Sequence, residues 1–210
     1  IACDINLLHS MNINIVLVHG IRPQIDNKLK EEIKKSELIR NIRVTKKEML
    51  NDIVEVNGVI KTNIEATLSS GILDSPMLGS NIKVSSGNFI TAKPLGVIDG
   101  IDMQLTGQIR RIDTNAITDK LSNKEIVIIS PLGYSPIGDI FNLSYEQTAA
   151  HVAQAIKAEK LIYYINANGI LNIRGELIPE LTISKAKHLI ESIEDPNNAP
   201  FISYHDFNIL

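Results

Sequence analysis

The pattern of apolar residues along this chain predicts an α/β fold with a mostly parallel central sheet. Short apolar runs, Ile15–Val18 (with Ile13 before it), Ile126–Ile129 and Leu161–Ile165, have the length and β-branched content of buried strands. Segments with helical spacing lie between these runs, the alternation expected of a layered α/β domain. Three loops, 19–22, 130–142 and 166–169, directly follow the buried runs. In an open parallel sheet such loops gather along the carboxyl edge of the strands, where ligands bind.

Taken in order, residues 1–11 read as the end of a helix, with Ala2, Ile5 and Leu8 on one face, and 13–18 as a strand. Gly20 permits a sharp turn, and Pro23 is preset for the first turn of a helix over 23–35. Thr45 is expected to cap a long helix over 46–70, with Met49, Ile53, Val56, Ile60, Ile64 and Leu68 on one face and Gly71 as its stop. Residues 81–112 read as a hairpin-rich insert, with strands at Ile82–Ser85, Phe89–Lys93 and Gln108–Ile112. Ser86-Gly87-Asn88 and Gly96–Gly100 break these strands. A helix over 114–121 precedes the buried strand Ile126–Ile129, and Pro131–Phe141 reads as a loop. Ser144-Tyr145-Glu146-Gln147 fits a capping box for the helix carrying Ala149, Ala150, Ala153 and Ile156. A final helix over 183–193 and a strand at Phe201–Tyr204 complete the pattern.

The 210 residues suffice for one sizeable core, and a single domain is expected. A formal charge of −3, with acidic residues beside every basic segment, argues against a nucleic-acid partner. The stretch 28–35 is mixed in sign and reads as a solvated helix face. One cysteine, Cys3, excludes an internal disulfide framework and is consistent with a reducing cytoplasm. No apolar run approaches the roughly 18 residues that span a bilayer, so no membrane partner is expected. The five histidines show no metal-ligand spacing, and no nucleophile arrangement is evident.

His19-Gly20-Ile21-Arg22-Pro23-Gln24-Ile25 resembles the amino-acid kinase family, in particular its acetylglutamate kinase branch. Arg22 makes the string more similar to the kinase-like domain of the N-acetylglutamate synthases, where arginine interrupts the kinases' all-glycine segment. Ser86–Ile90, Pro94–Val97, Asp99-Gly100, Gly107–Asp113, Phe141–Leu143 and Ile202-Ser203-Tyr204 extend the resemblance over nearly the whole chain. It implies a three-layer α/β/α sandwich of the carbamate kinase-like type with a β-hairpin insert. The family's first strand would precede Ile1, and the part before Phe201 is shorter than the family pattern.

By the same resemblance, Gly20, Ile21, Arg22, Arg43 and Asn142 are candidate ligand-binding residues. Arg43-Val44-Thr45 matches the family's Arg-Val-Thr, whose arginine grips a substrate carboxylate as a fork. Read without the family, Arg43 is rather a surface arginine before a helix, and Asn142 is equally well a turn residue before a cap. Glu146 stands where the kinases carry an aspartate that organises the phosphate-transfer lysines, so it is a vestigial position. As a bare residue it is an acid in a first helical turn, where the macrodipole favours it. Asn166, Asn168 and Gly169 form a degenerate nucleotide-side loop, since Ile165-Asn166 replaces the usual Ser/Thr-Asp. Arg110-Arg111 reads as an anion site or as a solvated strand edge.

These departures imply a domain without catalysis, cofactor or metal: a cytoplasmic, homo-oligomeric, arginine-sensing module. It would belong to an enzyme that makes N-acetyl-L-glutamate from acetyl-CoA and L-glutamate at the start of arginine biosynthesis. L-arginine, and N-acetylglutamate as well, are the implied ligands. The acetyl transfer would belong to a separate C-terminal domain of which these residues show no signature. The alternative is a working acetylglutamate kinase that phosphorylates N-acetyl-L-glutamate with ATP. It explains Arg43 and Asn142 equally well, whereas Arg22, Glu146 and Asn166 argue against it.

Overall fold

Four consecutive buried residues, Ile126–Ile129, form the centre of the fold. The computed structural model describes residues 1–28, 38–40, 42–69, 82–164, 169–170, 172 and 176–191. Through these run α1 (Ala2–Ser10), β1 (Val16–Val18), α2 (Arg22–Lys28), β2 (Leu38–Ile39), β3 (Ile42–Arg43) and α3 (Leu50–Ser69). Next come β4 (Val84–Ser86), β5 (Ile90–Pro94), β6 (Val97–Ile98), β7 (Ile101–Asp102), β8 (Gly107–Ile112) and α4 (Thr114–Ser122). Then follow β9 (Ile126–Ile129), β10 (Leu132–Tyr134), β11 (Ile140–Asn142), α5 (Tyr145–Ala155) and α6 (Ile183–Glu191).

Strand β9 pairs in parallel with β1 on one side and β4 on the other. Successive side chains of a strand point to opposite faces, and here the two faces meet different helices. Val127 and Ile129 join Val16, Val18, Ile117 of α4 and Val152 of α5 in one cluster. Ile126 and Ile128 join Leu17, Ile5 of α1 and Leu68 of α3 in another. Helices therefore cover both faces, which makes the three-layer sandwich. Each fully buried aliphatic side chain of β9 contributes on the order of 1.5–3 kcal/mol. Charged residues in place of this run would dissolve both layers at once.

A second sheet, ordered β11-β10-β5-β8, is mixed: β10 runs parallel to β5, while β5–β8 and β10–β11 are antiparallel. Helix α3, 20 residues and about 30 Å long, connects the two regions. Its Leu68 end packs on the parallel sheet, while Ile53 and Val56 pack with Ile21, Ile25, Met49 and Leu132. The hydrophobic stripe expected on this helix is the one observed, with Ile60 and Ile64 partly buried along it.

Several expectations need correction. Thr45 does not cap α3: it is fully buried, and a 3-10 turn at Lys47–Met49 leads into the helix. Val84–Ser86 belongs to the parallel sheet rather than to the hairpin insert, because its apolar partner is β9. Residues 96–100 are more than a break. Asp99 and Gly100, at φ of 50° and 81°, close the two-residue hairpin β6–β7, the conformation that Asp-Gly favours. The expected loop Pro131–Phe141 contains the β10–β11 hairpin.

Leu161–Tyr164 forms no strand and is exposed, with Tyr164 at 69%. An apolar run supplies propensity, but a strand also needs a partner strand, and 161–164 enters no ladder among the described residues. The end of the helix beyond Lys28, the stop at Gly71, and Phe201–Tyr204 lie outside the described residues.

Gly133 of β10 lies directly over β5. A Cβ there would fall inside van der Waals contact with the Cβ of Ala92 and within 3.1 Å of Leu143 Cδ1. We expect Gly133→Ala to destabilise the fold by about 1–3 kcal/mol through overpacking. An unchanged urea midpoint at unchanged slope would refute this close approach.

Candidate functional site

The parallel order of β1, β9 and β4 brings the segments after β1 and β9 to the same sheet edge. A direct contact ties them together. His19 Nε2 lies 2.8 Å from Ser130 Oγ, and the His19 amide donates to the Ile129 carbonyl at 3.3 Å. His19 is 6% exposed, and its Nδ1 is buried without a hydrogen-bond partner among the described residues. Burial pushes the imidazole pKa below its ordinary value; the Gly20 backbone opposes this in part, and the charge of Lys61 adds to it. Gly20 follows against the ring of Tyr145, whose Cδ1 would lie 3.3 Å from an added Cβ. The turn after β1 therefore rests on the first residue of α5.

Of the candidates in that turn, Ile21 turns its side chain into the core beside Ile25, Met49 and Leu132. Only its backbone is left to face a ligand. Arg22 is exposed at the start of α2.

Arg43 and Asn142 come together through two threonines. Thr106 Oγ1 donates to the Arg43 carbonyl at 2.7 Å and accepts from the Thr45 amide at 2.9 Å. The Leu105 amide donates to the Thr45 carbonyl at 3.0 Å. Asn142 Nδ2 donates to Thr45 Oγ1, and the Asn142 amide to the Leu105 carbonyl, both at 3.0 Å. Thr45 and Thr106 are buried at 0% and 3% exposure, so this is a satisfied internal network rather than a wet surface contact. The Arg43 side chain is only 12% exposed, and its Nη2 donates to Asp26 of α2. An arginine so held keeps a fixed direction, and its planar fork suits a carboxylate.

Glu146 is differently engaged. Its Oε2 accepts the Ser144 hydroxyl at 2.7 Å, while Ser144 Oγ accepts the Gln147 amide at 3.2 Å. The Glu146 carbonyl accepts the Tyr163 hydroxyl at 3.0 Å. The acid thus takes part in the N-terminal cap of its own helix, where the dipole favours it. Gly169 has φ 131°, and an added Cβ would lie 2.6 Å from Leu177 Cδ1, which gives the glycine a packing reason. Asn166 and Asn168 lie outside the described residues. Arg110 and Arg111 are exposed on β8, the end strand of its sheet, as a solvated edge would be. Among the described residues no group of His, Cys, Asp and Glu could hold a metal ion, and no helix is long and apolar enough to cross a membrane.

Asp26, Thr45, Thr106 and Ser130 were not singled out as site residues by the sequence reading. Ser130 carried one usable signal, its place immediately after a buried strand. Thr45 carried another, its place in the Arg43-Val44-Thr45 motif, whereas Asp26 and Thr106 carry none because their partners lie far away in the chain.

The Amino acid kinase family profile matches residues 1–197. The chain belongs to the amino acid kinase family. An amino-acid acetyltransferase of Ralstonia nicotianae is 45% identical over 183 residues, 87% of this chain and 41% of that protein. The crystal structure of N-acetylglutamate synthase from Neisseria gonorrhoeae complexed with coenzyme A and L-arginine matches with a TM-score of 0.85 at 36% identity. That match covers 93% of this chain and 46% of the synthase chain. The same synthase complexed with coenzyme A and N-acetyl-glutamate gives a TM-score of 0.83 at 36% identity, over 93% of this chain and 44% of that one. The chain thus spans less than half the length of these acetyltransferase and synthase relatives. The expected three-layer fold and the resemblance to the synthases are both borne out.

The His19 environment gives a pH prediction. Because the folded pKa lies below the ordinary 6.5, the unfolded chain binds the proton first as pH falls. The stability held by neutral His19 is complete above 6.5 and is lost as pH falls through the lower folded value. Urea midpoints of the wild type and His19→Gln should therefore converge on acidification. A constant gap between pH 8 and 5 would contradict this.

Proposed function

We propose that this chain is the regulatory, arginine-sensing and oligomer-forming kinase-like part of an N-acetylglutamate synthase, without catalysis of its own. Acetyl transfer from acetyl-CoA to L-glutamate would be carried by a different part of the parent protein. The relatives support the choice of enzyme, since their names are those of amino-acid acetyltransferases and synthases. L-arginine and N-acetylglutamate are proposed as ligands on the strength of the two synthase complexes.

One contrast within the site carries the reading of an inert domain. The carboxylate-gripping half is built, with Arg43 held by Asp26 and joined to Asn142 through Thr45 and Thr106. Among the described residues the phosphate-handling half has no such support. Phosphoryl transfer needs close backbone approach and clustered positive charge positioned on the γ-phosphate. Here Ile21 fills core space in the turn, and the Glu146 carboxylate serves its own helix cap. A carboxylate displaced by one methylene, about 1 Å, is enough to cost roughly a hundredfold in a reaction that is mostly positioning.

Arginine would act by binding one assembly state more tightly than another, because equal affinity for both would shift nothing. Two measurements check this. With Mg-ATP and N-acetyl-L-glutamate, phosphoryl transfer should stay below roughly 0.01 s⁻¹, against about 1–100 s⁻¹ for working kinases. Sedimentation velocity should show a change of assembly on adding L-arginine. Turnover in the range of working kinases would make the protein an acetylglutamate kinase, and an unchanged sedimentation profile would remove the sensing role.

A further inference from the structure

Two hairpin tips meet over the Arg43 segment. Arg40, in the turn between β2 and β3, donates through Nε to Asp99 Oδ2 at 2.9 Å and through Nη2 to Oδ1 at 2.6 Å. Asp99 is the first turn residue of β6–β7. Both residues hold left-handed backbone, φ 49° and 50°, so each turn aims its side chain from a fixed position. At their other ends the same two segments are joined by the buried network. Thr45 bridges Gln104, the Thr45 carbonyl takes the Leu105 amide, and Thr106 Oγ1 takes the Thr45 amide and donates to the Arg43 carbonyl.

Arg43, at the end of β3, lies three positions after Arg40. The pair β2–β3 is therefore fixed at both ends against 97–106, with Arg43 between a solvent-exposed fastening and a buried one. The buried end is hydrogen-bonded throughout. The exposed end is an ion pair with side chains 42% and 49% accessible, so it responds to ionic strength where the buried hydrogen bonds do not.

The geometry points to Arg40 and Asp99 as positioning residues: a two-pronged latch between hairpin tips that holds β3, and with it the Arg43 guanidinium, in its carboxylate-binding direction. This rests on the reading of Arg43 as the ligand's carboxylate partner. Neither Arg40 nor Asp99 touches the ligand; they set how often Arg43 is correctly placed. Loosening the latch lowers the competent fraction, and apparent affinity falls in proportion.

The test separates the latch from the ligand site. Hydrogen exchange of the unliganded protein reads the latch alone. Asp99→Asn should speed exchange of the amides of Leu38, Ile39, Ile42 and Arg43 by roughly two- to fivefold, the range of an exposed ion pair. Salt at 1 M should speed the wild type more than Asp99→Asn, which keeps only the Arg43–Asp26 pair as a salt-sensitive contact of this strand. The exchanged pair Arg40→Asp with Asp99→Arg should restore slow exchange. Calorimetric titration with N-acetyl-L-glutamate should show a similar loss of affinity in Asp99→Asn and its recovery in the exchanged pair.

Unchanged exchange in Asp99→Asn, or no recovery in the exchanged pair, overturns the latch. Faster exchange with unchanged affinity overturns its positioning role. Arg43→Gln controls the underlying reading: if it leaves N-acetyl-L-glutamate binding intact, the site assignment fails, whatever the exchange data show.

Discussion

Everything in this molecule is referred to strand β9. It is buried on both faces and paired in parallel on both edges, so it admits one register and two helical layers. A slip by one residue would exchange the partners of Ile126 and Ile128 with those of Val127 and Ile129. It would also move Ser130 away from His19, which reaches it from the end of β1. The constraint that builds the core therefore also sets the relation between the two loops at the sheet edge. Parallel pairing brings the two loops to one edge, and the buried His19 holds them together there.

The two candidate ligand-binding residues, Arg43 and Asn142, depend on a second, smaller constraint. Thr45 and Thr106 are buried polar residues whose hydrogen bonds join three distant segments: β3, the strand region after β7, and β11. A buried hydroxyl left unpaired costs about 1–3 kcal/mol, so the network forms together or not at all. Arg43 and Asn142 inherit their spacing from it. The same segments carry the exposed Arg40–Asp99 pair, which places a weak, salt-sensitive contact beside a strong, dry one. Where a ligand must enter and leave, such an uneven fastening lets the outer part move while the inner part keeps its register.

Much of the fold was legible in the residues. Ile126–Ile129 and the stripe on α3 announced themselves because burial on two faces and on one face leaves different periodicities. The β10–β11 hairpin was hidden because Gly133, Pro136 and Gly138 carry the signature of a loop. Gly133 is a glycine for lack of room against Ala92, and that is visible only after the sheet has formed. Leu161–Tyr164 misled in the opposite direction, since an apolar run states a preference and not a partner. In the site, Arg43 and Asn142 were reached through their resemblance to a family motif. Their supports were not, because Asp26, Asp99 and Thr106 act across 17, 59 and 63 residues of chain.

The central claim is that a kinase fold here keeps the recognition of a small amino acid while having lost the handling of a nucleotide. Isothermal titration of the purified protein, separately with L-arginine and with Mg-ATP, tests it most directly. The account predicts saturable L-arginine binding with no heat of binding from Mg-ATP. Saturable Mg-ATP binding, strengthened by N-acetyl-L-glutamate and with L-arginine silent, would contradict it.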